Sequence, residues 1–323
     1  MLQIQENISL KNYNTFHIDV KARFFVDVKS QEEFAELMET EIWSQYPHFF
    51  LWWGANILFT KNYPWIIIKV SLMGKEVVGE YDDHISIKVG AWESWPAFVN
   101  RCVEQGYQWL ENLALIPWTV GASAVGNIGA YGTEAKDVIE EVECIMVNGE
   151  CTMQTIKNAE CKFAYRESIF KHALKDKVLI TWVTFALKKV ADTAPLKKAV
   201  ADIVAQRQSK LPDPTQIGTA GSFFKNPIIT EKVYLELKEK YPELISFPVQ
   251  ATGEIKLSAG QLIELCGLKW YTQWNVGVSK NHALILINLW WGTGIEMMQL
   301  ATHIVSEVEK KFNIGLEPEV IYM

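Results

Sequence analysis

The chain has 323 residues, 49% hydrophobic and 21% charged, which is typical of globular proteins and long enough for two or three domains. Its formal net charge of −7 argues against a nucleic-acid partner, because such partners require a clustered basic face. The same charge disfavours binding to an anionic membrane surface. The N-terminal residues do not resemble a signal peptide, and no apolar run is long enough to span a bilayer.

The five cysteines are odd in number and form no Cys-x-x-Cys pair. This usage predicts reduced, mostly buried thiols in a cytoplasmic protein. No group of Cys and His residues has the spacing of a zinc site, so no metal is expected. The cysteines are Cys102, Cys144, Cys151, Cys161 and Cys266.

The first elements along the chain are a helix and two strands. Ser30 and Glu33 form a capping box that predicts a helix to about Met38. The apolar run 65–70 predicts a buried strand, and the alternation over 84–90 predicts a second one. A helix is predicted from Ser94 to the stop signal at Gly106, and the small residues of 116–133, which have no clear period, predict a functional loop.

The remaining pattern divides the chain near residue 195. Two strands around Asn148-Gly149 predict a hairpin, and 177–190 predicts another strand. Beyond it, helices are predicted at 196–210, 230–241, 259–267 and 294–312, with a buried strand at 282–288. Strands followed by a mixed unit indicate an α+β fold, with predicted domains 1–70, 71–195 and 196–323.

Two segments rich in small residues favour close approach of the backbone to a ligand. Gly54, Ala55 and Asn56 follow a predicted strand, where free N–H groups suit a phosphate. A plain turn is the alternative there. In the second segment Asn127 offers an amide, and four glycines permit contact with a flat ring or a diphosphate. Those glycines are Gly121, Gly126, Gly129 and Gly132.

Three polar motifs offer candidate catalytic side chains. Arg166 in FAYRESIFK has a fork that suits a carboxylate or phosphate, although a surface ion pair is the alternative. Ser222 in AGSFFKNP suits a nucleophile, an acid or a turn cap. Glu317 and Glu319 near the C-terminus share one face if extended, or belong to a solvated tail.

In this order, the motifs resemble those of the UDP-N-acetylenolpyruvoylglucosamine reductase family over nearly the whole chain. The matching stretches are ENLALIP, NIGAYG, YRESIFK, KLPDP, AGSFFKNP and LEPEV. The resemblance implies an α+β fold of the vanillyl-alcohol-oxidase type, in which two FAD-binding (PCMH-type) subdomains precede a C-terminal α+β substrate domain. It also implies reduction of UDP-N-acetylglucosamine enolpyruvate by NADPH through FAD, in a cytoplasmic monomer that serves peptidoglycan synthesis, cell shape and division.

The resemblance also implies roles for individual residues. Ser222 matches the proton donor, and Arg166 and Glu319 match the groups that stabilise the enolate-like intermediate. The substrate-binding positions correspond to Tyr165, Lys210 and Asn226. The FAD-contacting positions correspond to Gly54, Ala55, Asn56, Ile57, Gly121, Ser123, Asn127, Ile128, Gly129 and Tyr131.

The chain departs from the family pattern at several tryptophans. Indoles stand where the family uses small residues, mostly glycine, at Trp52, Trp53, Trp92, Trp109, Trp118, Trp270 and Trp274. Gln261 stands where the family commonly has tryptophan, and the connection 186–206 lacks the insertion that carries a tyrosine over the UDP-sugar. Three hypotheses follow: the reductase, a relative that binds a UDP-sugar but has lost FAD and catalysis, and another flavin oxidoreductase. The indoles either obstruct the cofactor or point to solvent.

Overall fold

A computed structural model describes residues 2–147, 151–249, 253–289 and 291–323. The predicted Asn148-Gly149 turn and Trp290 lie outside these residues. The strands are β1 (Ile4–Ser9), β2 (Lys21–Val28), β3 (His48–Leu51), β4 (Ile57–Leu58), β5 (Tyr63–Val70), β6 (Lys75–Glu80), β7 (His84–Gly90), β8 (Tyr107–Gln108), β9 (Gly129–Ala130), β10 (Thr133–Glu134), β11 (Ile139–Met146), β12 (Met153–Lys157), β13 (Val178–Lys189), β14 (Gly218–Ser222), β15 (Ile228–Ile229), β16 (Ser246–Val249), β17 (Glu254–Leu257), β18 (Thr272–Gln273), β19 (Val276–Val278), β20 (Ile285–Asn288) and β21 (Ile321–Tyr322). The α-helices are α1 (Gln31–Met38), α2 (Glu41–Gln45), α3 (Trp95–Glu104), α4 (Val120–Gly126), α5 (Ala194–Lys210), α6 (Glu231–Lys240), α7 (Ala259–Leu265) and α8 (Gly294–Phe312).

The chain forms two compact units. The first comprises Met1–Ile8, Ala22–Trp53 and Tyr63–Arg207, and the second comprises Ser9–Lys21, Gly54–Asn62 and Gln208–Met323. The finer predicted division at residues 70 and 195 stays a prediction.

The first unit contains two larger sheets. In one, of order β1-β2-β5-β3, strands β2, β5 and β3 pair in parallel. Ile66, Ile67 and Ile68 of β5 are all fully buried, as expected of a parallel strand covered on both faces. The other sheet has the order β12-β11-β13-β7-β6, with β8 also paired to β13. The predicted cofactor segment, 121–131, belongs to this unit.

Local capping decides where the first helices begin. The Ser30 hydroxyl accepts from Glu33 N, and the Ser94 hydroxyl accepts from Ala97 N, which confirms both predicted starts. The connection between β13 and α5 spans only the four residues from 190 to 193. The short connection predicted between residues 186 and 206 is therefore confirmed.

The prediction that 116–133 is all loop was wrong, because it contains α4. The Thr119 hydroxyl caps this helix at Ala122 N, and Asn127 ends it with a left-handed φ of 40°. Every residue from Val120 to Gly126 except Val125 is buried. A short helix buried almost all round has no polar face, so it gives no amphipathic period in the sequence.

The second unit is built on the sheet β14-β20-β19-β18 and a smaller sheet β15-β17-β16. Its long helix α8 begins at a capping box formed by Thr293 and Glu296. Met297, Leu300 and Ile304 of α8 are fully buried, so this helix supplies much of the unit's apolar core. Strand β21, at the C-terminus, pairs in parallel with β4.

All five cysteines are free thiols, and three of them are buried. Burial raises the pKa of Cys144 to about 11 and that of Cys161 to about 12, so these two thiols stay protonated at neutral pH. Among the described residues, no helix combines the length and apolar character needed to cross a membrane.

Candidate active site

The segment after Ser222 is joined by backbone hydrogen bonds to the C-terminal motif. Glu319 N donates to Phe223 O at 2.8 Å, and Lys225 N donates to Glu317 O at 2.9 Å. Phe223 is fully buried and packs edge-on against Phe16, which anchors the pairing. Ser222 and Glu319 are therefore brought together inside the second unit, although their positions in the sequence differ by 97. The solvated-tail alternative for Glu319 is wrong.

Ser222 is an exposed hydroxyl at the end of β14, positioned by an irregular strand. The pairing of β14 with β20 shifts register between Thr219 and Ser222. Gly221, inside this bulge, has a φ of +75°, which favours glycine because a side chain there would be strained. A bulge of this kind redirects the next side chain. Here it leaves the Ser222 hydroxyl accessible to a substrate.

The two glutamates of the C-terminal motif have different surroundings. Glu317 is mostly exposed and forms an ion pair with Lys225 at 2.7 Å. Glu319 is half-buried, and its carbonyl accepts a hydrogen bond from Asn56 Nδ2 at 2.9 Å. Glu319 is therefore held by backbone contacts on both sides, which is the arrangement expected of a side chain that must be positioned.

The loop 54–57 has the features of an anion cradle. Gly54 and Ala55 are buried, yet among the described residues no acceptor pairs with the N–H groups of 54, 55 or 56. Gly54 has a φ of +68°, and a Cβ there would lie 2.0 Å from Tyr13 O. A run of N–H groups that have no acceptor within the described part of the protein suits a phosphate oxygen, so this loop fits the diphosphate of a dinucleotide.

Arg166 lies in a tight turn of the first unit. Ala164 and Glu167 exchange backbone hydrogen bonds of 3.0 Å around it, and Arg166 itself has a φ of +59°. A long side chain in this region of φ is strained, and such strain is concentrated at functional sites. The turn directs the guanidinium to Gly129 O, 2.9 Å from Nη2, and across the ring of Tyr165.

Gly129 supports Arg166 directly. A Cβ on Gly129 would lie 3.3 Å from Arg166 Nη1 and 3.0 Å from the side chain of Glu134. Glycine at this position therefore leaves room for the guanidinium. Two residues predicted for different roles, cofactor contact and catalysis, are thus adjacent in the first unit.

Arg207 is a cation that the sequence analysis missed. It lies on α5, and its Nε is buried with no hydrogen-bond partner among the described residues. Burial lowers the pKa of Arg207, the nearby Tyr131 opposes that shift, and the charge of Arg166 lowers the pKa further. Two guanidiniums within electrostatic range favour an anionic group between them. Arg207 precedes Lys210 by three residues, so both lie on one face of a helix. This spacing was the only sequence signal that pointed to Arg207.

The Asn127 side chain is fully used inside the protein. Its amide nitrogen donates to Ala164 O at 2.8 Å and to Glu134 Oε2 at 3.1 Å. Its oxygen accepts from Lys136 N at 3.0 Å. The Ser123 hydroxyl likewise donates to Val120 O at 2.6 Å. These side chains shape the predicted cofactor segment, and any contact they make with a ligand is through backbone atoms.

The predicted UDP-sugar residue Asn226 contacts the start of α7, a helix that lines a cavity of the second unit. Asn226 Oδ1 accepts from Ala259 N at 3.0 Å, at the start of α7. A cavity of about 450 Å³ lies beside α7, lined by polar groups that include Gln261 and His282. Burial lowers the pKa of His282, and the charges of Lys210 and Lys269 lower it further. The positive field of Lys210 therefore reaches this cavity.

Among the described residues, four tryptophans have the left-handed backbone that favours glycine. The φ angles are 105° at Trp109, 65° at Trp270, 52° at Trp274 and 48° at Trp291. All four side chains are more than half exposed. The interpretation of Trp109, Trp270 and Trp274 as glycine positions that point to solvent agrees with this geometry, and Trp291 is a further case that the sequence analysis missed.

Replacing Trp270 or Trp274 by glycine is expected to stabilise the protein. A left-handed φ costs an L-residue about 1–2 kcal/mol, and an exposed indole contributes little packing that would be lost. With about 2–4 °C per kcal/mol for domains of this size, each change should raise Tm by a few degrees in a thermal melt.

Trp65→Gly is the matched control for these variants. Trp65 is also 41% exposed, but it lies within β5 and its φ is not positive. Glycine inside a strand is unfavourable, so this change should lower Tm. A lower Tm for the Trp270 and Trp274 variants as well would show that their backbone strain is negligible.

Trp52 and Trp118 differ from these exposed indoles. Neither has a positive φ, and both pack partly buried against the core of the first unit. A Cβ on Gly121 would lie 2.9 Å from Trp52 Cζ3, and one on Gly126 would lie 2.6 Å from Trp118 Cζ3. Within the first unit, an indole therefore covers the predicted FAD contact at Gly121. The loop 54–57, taken by itself, has the backbone features of a phosphate site.

Comparisons with known proteins agree with this geometry. The FAD binding domain family matches residues 22–153, and the C-terminal domain of UDP-N-acetylenolpyruvoylglucosamine reductase matches residues 213–323. The reductase of Chromobacterium violaceum is 39% identical over 100% of this chain and 99% of its own length. That of Flavobacterium johnsoniae is 40% identical over 99% of both chains.

A solved structure shares the fold. UDP-N-acetylenolpyruvylglucosamine reductase from Thermus caldophilus superposes with a TM-score of 0.75, at 22% identity, over 100% of this chain and 99% of that one. The expected class, an α+β protein with a PCMH-type FAD-binding fold followed by the C-terminal domain of the reductase family, is confirmed.

Proposed function

Because the chain belongs to the family of UDP-N-acetylenolpyruvoylglucosamine reductases, we propose that it reduces UDP-N-acetylglucosamine enolpyruvate to UDP-N-acetylmuramate with NADPH and bound FAD. The observation that carries this proposal is the backbone pairing that holds the Ser222 segment against Glu319. The comparisons give no support to a relative that has lost catalysis, and the third hypothesis, another flavin oxidoreductase, matches neither the relatives' names nor the C-terminal family.

When bound, FAD would supply the hydride chemistry, with NADPH as the source of the two electrons and the terminal carbon of the enol ether as the acceptor. The protein's residues act on the negative charge that then develops on the adjacent carbon and its carboxylate. Arg166 stabilises that charge with a guanidinium held by Gly129 O. Arg207 adds a second cation in the same unit.

Ser222 completes the reaction by giving a proton to the adjacent carbon. The balance is one hydride and one proton added across the double bond, with NADPH oxidised to NADP⁺. A hydroxyl is a weak acid, so it requires an oriented polar neighbour. We assign that orienting role to Glu319, whose backbone is bound to Phe223 and Asn56.

Substrate recognition is assigned to Tyr165, Lys210 and Asn226. The ring of Tyr165 lies 5.5 Å from the Arg166 guanidinium, so it can pack beside the enolpyruvyl carboxylate. Lys210 provides the positive field for the UDP diphosphate, and Asn226 is fixed at the start of α7. We further propose a cytoplasmic monomer that makes a peptidoglycan precursor, and thereby supports cell shape and division.

The test is a visible absorption spectrum of the FAD-loaded protein in the absence of oxygen. NADPH should bleach the flavin band, and UDP-N-acetylglucosamine enolpyruvate should restore it while UDP-N-acetylmuramate accumulates. UDP-N-acetylglucosamine, which lacks the double bond, is the control and should restore nothing. A band that bleaches with NADPH but does not recover with the enolpyruvyl substrate would overturn the proposal.

A further inference from the structure

The indole of Trp52 lies directly on Gly121, at the start of α4. A Cβ on Gly121 would meet Trp52 Cζ3 at 2.9 Å and Ala91 Cβ at 2.8 Å. Gly121 N also donates to Ala91 O at 2.8 Å. Gly121 is thus held between Ala91 and the indole of Trp52. Of these two neighbours, only the indole can move away by rotation of its side chain.

The neighbouring indoles show that Trp52 is the one turned inward. Trp53 is 43% exposed, and its ring lies 6.2 Å from that of Trp92. The ring of Trp92 in turn lies 5.0 Å from Lys69 Nζ. Trp52 instead packs partly buried against both apolar cores of the first unit. The ring of Trp52 therefore has a favourable, partly buried position. Any ligand at Gly121 must displace the ring from it.

We propose that Trp52 is a built-in competitor of FAD, whose indole covers the cofactor surface at Gly121 and rotates away when FAD binds. This inference rests on the proposed function, because it takes Gly121 as a FAD contact. A flat ring can approach bare glycine backbone closely, and two such rings cannot occupy one surface. The apparent Kd for FAD is then the intrinsic Kd divided by the fraction of molecules in which the indole is displaced.

The direct test is the Kd for FAD of Trp52→Gly, measured by quenching of flavin fluorescence on titration with protein. If about one molecule in ten or fewer has the indole displaced, the variant should bind FAD at least about tenfold more tightly. FAD should also raise the Tm of this variant more than that of the unsubstituted protein, because tighter binding stabilises the folded state. Neither readout requires turnover.

Two further variants keep the result interpretable. Trp65→Ala removes an exposed indole of the same unit that contacts Tyr63, and it should leave the Kd unchanged. Trp52→Ala removes the ring without glycine's backbone freedom, and it should bind FAD more tightly as well. A thermal melt of each variant shows whether it folds.

The outcomes separate this inference from the proposed function. Tighter FAD binding by both Trp52 variants supports the competitor, even if the enolpyruvyl substrate proves to be wrong. An unchanged Kd in folded Trp52→Gly and Trp52→Ala overturns it, even if the reductase activity is present. Failure of all the folded variants to bind FAD also overturns it.

Discussion

Replacing Ser222 by alanine is expected to lower kcat by about 10²–10⁴-fold, the usual contribution of a positioned acid or base. The exposed position of Ser222 makes the change structurally mild, within about 0.5 kcal/mol of stability. NADPH should still bleach the flavin band at the normal rate, because the hydroxyl acts only on the enolpyruvyl substrate. Stopped-flow absorbance measures the two half-reactions separately.

Ser222→Cys is the matched control, since a thiol keeps a transferable proton in nearly the same place. It should retain more activity than Ser222→Ala. If Ser222→Ala lost less than about tenfold in kcat, or if the step with NADPH slowed equally, Ser222 would not be the proton donor.

Replacing Arg166 by methionine is expected to lower kcat by about 10²–10³-fold, as for loss of one group that stabilises developing negative charge. Methionine keeps much of the stem but cannot donate to Gly129 O as the guanidinium does at 2.9 Å. Because the charge develops in the transition state, kcat should fall more than KM rises. Steady-state kinetics with the enolpyruvyl substrate gives both values.

Arg166→Lys separates charge from geometry. Lysine keeps the cation but lacks the planar fork, so its activity should lie between those of the unsubstituted protein and Arg166→Met. Gly129→Ala leaves Arg166 in place but sets a Cβ 3.3 Å from Nη1, and it should also lower kcat. A rise in KM alone, with kcat unchanged in both Arg166 variants, would assign Arg166 to substrate binding instead of catalysis.

The order of the motifs was sufficient to predict the family, and local sequence patterns were sufficient to predict the α+β class and many of the elements. Helix α1 begins at Ser30, and β7 spans the predicted residues 84–90, because capping and alternation are local properties of the chain. Helix α4 was missed because its burial removes the amphipathic period from which a helix is usually predicted.

The roles open to the candidate residues depend on their tertiary contacts. Glu317 and Glu319 are equivalent in the sequence, but the ion pair with Lys225 takes one and the pairing with Phe223 positions the other. Arg207 carried no motif, and burial near Arg166 distinguishes it.

The tryptophans show most clearly the difference between what residue type reveals and what tertiary contacts add. Residue type was enough to show that indoles stand where small residues are expected. It could not determine that Trp270 points to solvent from a left-handed backbone while Trp52 packs on Gly121. Both φ and the side-chain environment depend on contacts between residues that are distant in the chain, and residue type alone does not specify those contacts.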